Sequence, residues 1–214
     1  MKQLLILSGK GGTGKTTVAG AMIRLSQARA YADCDVDAPN LHLSMAQTIE
    51  AERFDFFGMP KAQIDETICI SCGKCEENCR FDAITNHNKY AVDPFSCEGC
   101  GVCEAICPAN AVSMHPALAG EQMLYRAQES VFSTAQLKMG NGTSGKLVTE
   151  VKKRMLSSLP PETELAIIDG SPGIGCPVIA SLSGVSMVLI VAEPSISGIS
   201  DMERIIKTAQ IFHT

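Results

Sequence analysis

The sequence predicts an α/β fold with a mostly parallel, doubly wound sheet, interrupted by a small cysteine-rich insert. Three observations carry this reading. An apolar run at residues 3–7 enters a glycine-rich turn and then a helix-spaced segment; the same texture returns after residue 146; and eight of the ten cysteines fall between Cys69 and Cys107. Strand, turn, helix, strand is how a parallel sheet with crossover helices begins. Because that texture flanks the cysteine-rich stretch on both sides, an insertion explains the order better than two domains in tandem. The expected division is 1–59, 60–116 and 117–214.

Residues 3–7 read as a buried strand and 8–15 as a turn. Residues 16–28 read as a helix on the spacing of Val18, Met22 and Leu25. Residues 31–33 end a second strand and lead into an acidic turn at 35–39. From 60 to 116 no helical stretch of useful length is expected. Residues 117–145, with the tract Gly140-Asn141-Gly142-Thr143-Ser144-Gly145, join the two textures and receive no assignment. Residues 146–156 are an expected helix, 165–169 and 185–191 buried strands, and 197–211 a final helix.

Composition narrows the function. At 214 residues the chain is long enough for one α/β domain plus a small module. A formal net charge of −5, 5% aromatic residues and no Trp argue against a dedicated nucleic-acid binder. No signal peptide or membrane segment is expected, which points to the cytoplasm, where thiols stay reduced. Ten cysteines there read as metal ligands sooner than as disulfides.

Gly9-Lys10-Gly11-Gly12-Thr13-Gly14-Lys15-Thr16 satisfies G-x-x-x-x-G-K-[ST] after a strand and before a helix. In that setting successive backbone N–H groups wrap phosphates, Lys15 reaches the β and γ oxygens and the Thr16 hydroxyl ligates Mg²⁺. The expected nucleotide-binding residues are Lys10, Gly11, Gly12, Thr13, Gly14, Lys15, Thr16 and Thr17.

The cysteines form two runs. Cys69-x2-Cys72-x2-Cys75-x3-Cys79 recurs 28 positions on as Cys97-x2-Cys100-x2-Cys103-x3-Cys107-Pro108, and Gly73/Gly101, Glu76/Glu104 and Ala83/Ala111 repeat with it. This internal duplication has the spacing of two-cluster bacterial ferredoxins, in which the fourth cysteine crosses to the other cluster. One 4Fe–4S cluster is expected on Cys69, Cys72, Cys75 and Cys107, and a second on Cys79, Cys97, Cys100 and Cys103. Two zinc ions could also use eight thiolates, but the x2-x2-x3 run followed by proline is far more specific to cubane clusters. Arg80 stands where the first run would carry proline; it suggests a raised potential for the adjoining cluster, or simply a surface arginine. Cys34 and Cys176 read as small buried residues outside both clusters.

The second lysine of the turn, Lys10 in K-G-G-T-G-K-T, resembles the deviant Walker A motif of the MinD, ParA, ArsA and nitrogenase iron protein class. The resemblance implies that Lys10 reaches across a dimer interface to stabilise charge at the transferring phosphoryl group. It further implies that Asp35 orients the attacking water near Mg²⁺, so that Lys10, Lys15 and Asp35 are the catalytic set. Asp169 would be the Walker B carboxylate, sharing the Mg²⁺ surroundings with Thr16 and Asp35. Pro172 and Gly173 would lie in the second switch, and Asp201 would pair with the signature lysine. Taken singly, each carboxylate reads as a cap or turn residue; arrayed at strand ends behind a P-loop they read as a site. Such proteins continue past the last helix to a further strand and an adenine-contacting loop, so a truncated C-terminus is expected. ATP rather than GTP rests on the resemblance.

From residue 2 to about 211 the chain is similar to MinD-superfamily ATPases containing an inserted ferredoxin domain. The resemblance implies an ATP-binding and hydrolysing iron–sulfur protein. Nucleotide-dependent dimerisation or switch movement would be coupled to electron transfer through two 4Fe–4S clusters. An ATP-dependent cluster scaffold or carrier is the alternative. The implied partners are a second copy or a related ATPase, and a redox or cluster-accepting protein.

Overall fold

The computed structural model describes residues 1–45 and 47–214. Its elements begin with β1 (Lys2–Ser8), α1 (Lys15–Ser26), β2 (Ala30–Asp33), α2 (Leu41–Ser44) and β3 (Glu52–Phe57). There follow β4 (Lys61–Ile64), α3 (Lys74–Glu77), β5 (Ile84–Asn86), β6 (Tyr90–Val92), α4 (Val102–Ala105) and β7 (Val112–His115). The chain closes with β8 (Leu118–Arg126), β9 (Val131–Leu137), α5 (Ser144–Leu156), β10 (Leu165–Asp169), α6 (Cys176–Leu182), β11 (Met187–Val191) and α7 (Ile196–Ile211).

Two units result. The larger comprises residues 1–56, 120–138 and 144–214; the smaller comprises 57–119 and 139–143. A seven-stranded sheet of order β11-β1-β10-β2-β9-β8-β3 builds the larger unit. From β11 to β9 all pairings are parallel, whereas β8 and β9 pair antiparallel. Residues 118–137, unassigned from sequence, are thus a hairpin that extends the parallel sheet. Tyr31 and Tyr125 stack on Phe132 with centroids 5.1 and 5.3 Å apart, which knits β2, β9 and β8 together.

Apolar composition explains the central strands. Leu5, Ile6 and Leu7 are wholly buried, as are Ile167 and Ile168, because a parallel strand covered on both faces has no solvent side. In α5 the apolar positions Leu147, Val148, Val151 and Met155 form one buried stripe. Register places functional ends side by side: Ile6 lies opposite Asp169, and Asp169 opposite Asp33. The carboxyl ends of β1, β10 and β2 therefore form one ledge, where open α/β sheets bind ligands.

The smaller unit has two two-stranded antiparallel sheets, β4·β7 and β5·β6. The 28-residue repeat is structural as well. Asp65 N donates to Ala111 O and Asp93 N to Ala83 O, each at 2.7 Å. The helix-preceding Gly73 and Gly101 have φ of +80° and +76°. Each of these sheets takes one strand from each repeat, so neither half closes alone.

Candidate nucleotide and cluster sites

At the carboxyl end of β1 the chain turns through Gly12 and Gly14, with φ of +84° and +92°, values that suit glycine. Gly14 precedes α1, whose N-terminus has no side-chain cap and no acidic residue in its first turn. The first amides of α1 are left to an anion, reinforced by the helix dipole. Gly11, Gly12, Gly14, Lys15, Thr16, Thr17, Asp35 and Pro172 line one open cavity of about 270 Å³, together with Ser8 and Asn40.

Asp169, wholly buried, lies behind Lys15 and Thr16 of this cavity's lining. Its two oxygens take Lys15 Nζ and Thr16 Oγ1, each at 2.6 Å, and Lys15 and Asp169 are both buried. The segment after β10 is tied to neighbouring strand ends. Gly170 N donates to Ile6 O and Gly173 N to Ser8 O, both at 2.9 Å. Ser171 Oγ donates to Cys34 O at 2.6 Å.

Asp33 was not anticipated as a site residue. One of its oxygens accepts Asp35 N at 3.0 Å, and the other accepts Asn40 N and Leu41 N at 2.9 Å. It thereby shapes the loop that presents Asp35 to the cavity. Burial, then the charge of Asp169, pushes the Asp33 carboxyl up to about 6, against the pull of its backbone donors. Burial also raises Asp35, with Lys15 opposing. The available signal was a strand-terminal Asp followed by a second Asp two residues on.

Lys10 lies outside the main cavity, exposed, and donates to Ser197 Oγ at 2.6 Å. Thr13 and Lys10 border a smaller recess with Gly9 and Glu193. Asp201 packs against Gly9, where a Cβ would come within 2.3 Å of the Asp201 Cβ. Its ion-pair partner is Arg204 at 3.9 Å, so the pairing expected with Lys10 is replaced by one to Ser197.

Lys152 also escaped the sequence reading. It is 5% exposed on the buried stripe of α5 and donates to Ser181 O at 2.5 Å and Ser183 O at 2.6 Å. A lysine four residues after Val148 and one after Val151 sits on the apolar face, which was the signal. Burial lowers its pKa, while Cys34 opposes. Cys34 is wholly buried, and burial pushes its thiol up to about 12. Cys176 departs from the buried residue expected: it is exposed at the start of α6, where the turn from the second switch leaves its side chain at the surface.

In the smaller unit the eight repeat cysteines fall into two sets. Cys69, Cys72, Cys75 and Cys107 line one cavity with Gly73, Lys74 and Pro108. Cys79, Cys97, Cys100 and Cys103 line the other. The fourth cysteine of each run has crossed to the opposite set. The thiols ring a space instead of converging on a point; among the described residues no three His, Cys, Asp or Glu side chains could hold a single ion. Four soft ligands around a protein-walled space fit a cubane cluster. Cys107 Sγ accepts Ala111 N at 3.3 Å. Burial is the largest influence on this thiol and raises its pKa, but the amides of Ala111, Ala109, Val112 and Asn110 together bring it below the ordinary value. Burial raises Cys75 and Cys103. Arg80 is exposed and does not line the cavity of Cys79.

Comparison with known proteins finds a family match for the cluster half of this geometry. Residues 62–114 match the family described as a 4Fe-4S dicluster domain. Over 99% of its length the chain is 35% identical to uncharacterized protein MJ0578 of Methanocaldococcus jannaschii, covering 74% of that protein. It is 28% identical to MJ0579 of the same organism, covering 77% of it. Among solved structures, the septum site-determining protein MinD complexed with Mg-ADP from Pyrococcus horikoshii aligns over 97% of this chain at 17% identity and a TM-score of 0.48. A Cyanothece McdA–ATP complex aligns over the whole chain at 18% identity and a TM-score of 0.49. The chain spans 65% and 64% of those two proteins. Among the described residues no helix is long and apolar enough to cross a membrane.

Proposed function

The chain belongs to the family of Methanocaldococcus jannaschii MJ0578, a MinD-like P-loop fold with a dicluster ferredoxin module within it, and from that premise we propose an ATP-hydrolysing, two-cluster electron-transfer protein. The single observation that carries this is the pairing of two sites in one polypeptide. One is a phosphate-binding turn backed by Asp169; the other is a pair of four-thiol cavities.

In the proposed reaction Lys15 would leave Asp169 for the β and γ phosphates, and Thr16 and Asp169 would hold Mg²⁺, which would neutralise charge on those phosphates. Asp35, set in the cavity wall by Asp33, orients the attacking water. The Lys10 ammonium is exposed and, among the described residues, donates to Ser197 Oγ; in this reading it reaches the nucleotide of a second copy or a related ATPase. Each set of four thiolates would hold one 4Fe–4S cluster, which would supply one-electron chemistry. Nucleotide-driven movement of the two switches then gates exchange with a redox partner. Eight ligating thiols require a reducing compartment, for which we infer the cytoplasm.

The test is ATP hydrolysis by anaerobically purified protein together with iron and sulfide analysis. We expect about eight irons per chain and hydrolysis that Lys15→Ala and Lys10→Ala each reduce at least tenfold. Absence of hydrolysis with or without a reductant would overturn the ATPase assignment. A carrier of clusters would surrender its iron to an apo-acceptor when ATP is added; retention of the full complement is the outcome this reading expects.

A further inference from the structure

The chain enters or leaves the smaller unit at Phe57, Ala119, Met139 and Thr143. β4 starts four residues after Phe57, and β7 ends four before Ala119. The two four-thiol cavities lie at different distances along these strands. Ala62 and Met114, paired in register, line the cavity of Cys79, Cys97, Cys100 and Cys103. Ile64 and Val112, the pair two residues farther from the junctions, line the cavity of Cys69, Cys72, Cys75 and Cys107. In keeping with this, α4 packs on β7 and α3 on β5. The first of these centres is therefore proximal to the junctions and the second distal.

Two junction segments touch the proximal cysteine run. Met59 and Pro60 O pack so closely on Gly99 that a Cβ there would collide with both, and Lys61 Nζ donates to Cys97 O. In the tract 139–143, a Cβ on Gly140 would lie 3.3 Å from the Phe95 ring. One on Gly142 would lie 3.6 Å from the carboxylate of Glu98, which lines the proximal cavity. Cys97 and Gly99 are buried under these segments, whereas their counterparts 28 positions earlier, Cys69 and Ser71, are half-buried and exposed. Lys89, the counterpart of Lys61, is held by Glu66 instead.

The tract 139–143 differs from 57–61 in what holds its ends. Phe57 closes β3, the edge strand of the large sheet. The tract instead leaves β9 where Leu137 N donates to Val36 O at 2.8 Å, in the turn that presents Asp35 to the phosphate cavity. It runs on into α5, where a Cβ on Gly145 would lie 3.1 Å from both Cβ and O of Cys176. Cys176 comes three residues after Gly173, whose N–H bonds Ser8 O beside the phosphate turn. Only Thr143 and Ser144 separate Gly142 from Gly145, so these two packed glycines span at most about 10 Å. Thr143 Oγ1 is buried against Gly58 without a hydrogen-bond partner, so sliding of the tract breaks none there.

We propose that residues 139–145 are a strap hung between the two loops that move with nucleotide, and that it delivers their movement to the proximal centre and not to the distal one. Displacing Glu98 and the loop from Cys97 to Cys100 changes the hydrogen bonding and solvent exposure of that centre's sulfurs, which tune a cluster. The inference rests on the nucleotide-gated reading above and supplies its route.

The test is amide hydrogen exchange, read by mass spectrometry, on the whole anaerobic, cluster-loaded protein with ADP and with a non-hydrolysable ATP analogue. Iron, nucleotide binding and ATP hydrolysis are measured on the same preparation. Between the two states exchange should change about twofold or more in 95–100 and 139–145 and stay unchanged in 68–76. Inserting Gly-Ser-Gly-Ser between Thr143 and Ser144 should abolish the change in 95–100 while leaving that in 172–176, iron content and hydrolysis as they were. A response confined to 68–76, one equal in both runs, or one in 95–100 that survives the insertion overturns the strap and leaves the two-cluster ATPase standing. Should the lengthened chain lose iron, the comparison of the two runs in the unaltered protein decides alone. No response in either run with nucleotide bound overturns the gating as well. Iron well below about eight per chain, or no hydrolysis, overturns the reading on which the strap rests.

Discussion

The larger and smaller units solve the problem of holding a site in opposite ways. In the larger one, Lys15, Asp33 and Asp169 come from points far apart in sequence and meet because three parallel strands end on one ledge. Their positions are set by a deep apolar core that includes Leu5, Ile6, Phe132, Ile167 and Ile168. In the smaller one, Ala62, Ala83, Cys97 and Val112 form the buried cluster, with further cysteines packed around it. So small a core does not stabilise a fold by burial alone. The lesson is that one site is a product of the fold, whereas in the other the ligands themselves complete the fold.

Removing the iron breaks this comparison most sharply. Structural metal–thiolate sites contribute on the order of 10 kcal/mol to folding. Anaerobic chelation should therefore abolish amide-exchange protection across 62–114 while β1, β2 and β10 stay protected. Persistent protection in 62–114 would mean that the module folds without its clusters.

Lys15→Ala is the converse test. It leaves Asp169 buried without its cation, at a cost of about 3 kcal/mol, and removes the phosphate-binding ammonium. Nucleotide affinity should fall at least 100-fold by calorimetry while iron content is unchanged. Lys152→Met should destabilise the same unit by about 2 kcal/mol in urea melts, because the carbonyls of Ser181 and Ser183 lose their buried donor.

Within the module, two repeat glycines separate conformational cost from crowding. At Gly99, φ is +73° and a Cβ would lie 2.4 Å from Pro60 O; at Gly101, φ is +76° with nothing within 4 Å. Gly101→Ala should cost about 1 kcal/mol, and Gly99→Ala clearly more, read as iron release at lower denaturant. Equal effects would show that the Pro60 contact yields freely.

An effect of similar size is a pH dependence. Folded Asp33 holds its proton up to about pH 6, against an ordinary 3.8. The folded state therefore binds more protons than the unfolded one between these values. Stability from this group rises as pH falls from 7 to 5, by roughly 1.3 kcal/mol, and is lost as pH rises again through 6. Asp33→Asn should remove that increment from the difference between melts at the two pH values.

The two sites were legible in sequence to different depths. Local spacing specifies the phosphate turn and both cysteine runs, because their chemistry is performed by neighbours in the chain. The crossing of Cys79 and Cys107 could be expected from the duplication. Asp33 and Lys152 were not anticipated because their roles come from burial, and a strand-terminal Asp or a helical Lys reads as solvated until the sheet covers it. The hairpin of β8 and β9 was missed for a similar reason. Ser133, Thr134 and Gln122 are polar but buried, which blurs the alternation that marks a strand. Asp201 lies beside the phosphate turn at Gly9, yet local geometry gives Lys10 to Ser197.

The central claim is that nucleotide and clusters act as one device. The direct measurement is EPR-monitored potentiometry of anaerobic, fully loaded protein without nucleotide, with ADP, and with a non-hydrolysable ATP analogue. The account predicts that at least one cluster midpoint or signal shifts between the ADP and ATP-analogue states, and that Lys15→Ala removes the shift. Identical midpoints and spectra in all three states, with nucleotide shown to be bound, would contradict it and leave a ferredoxin merely tethered to an ATPase.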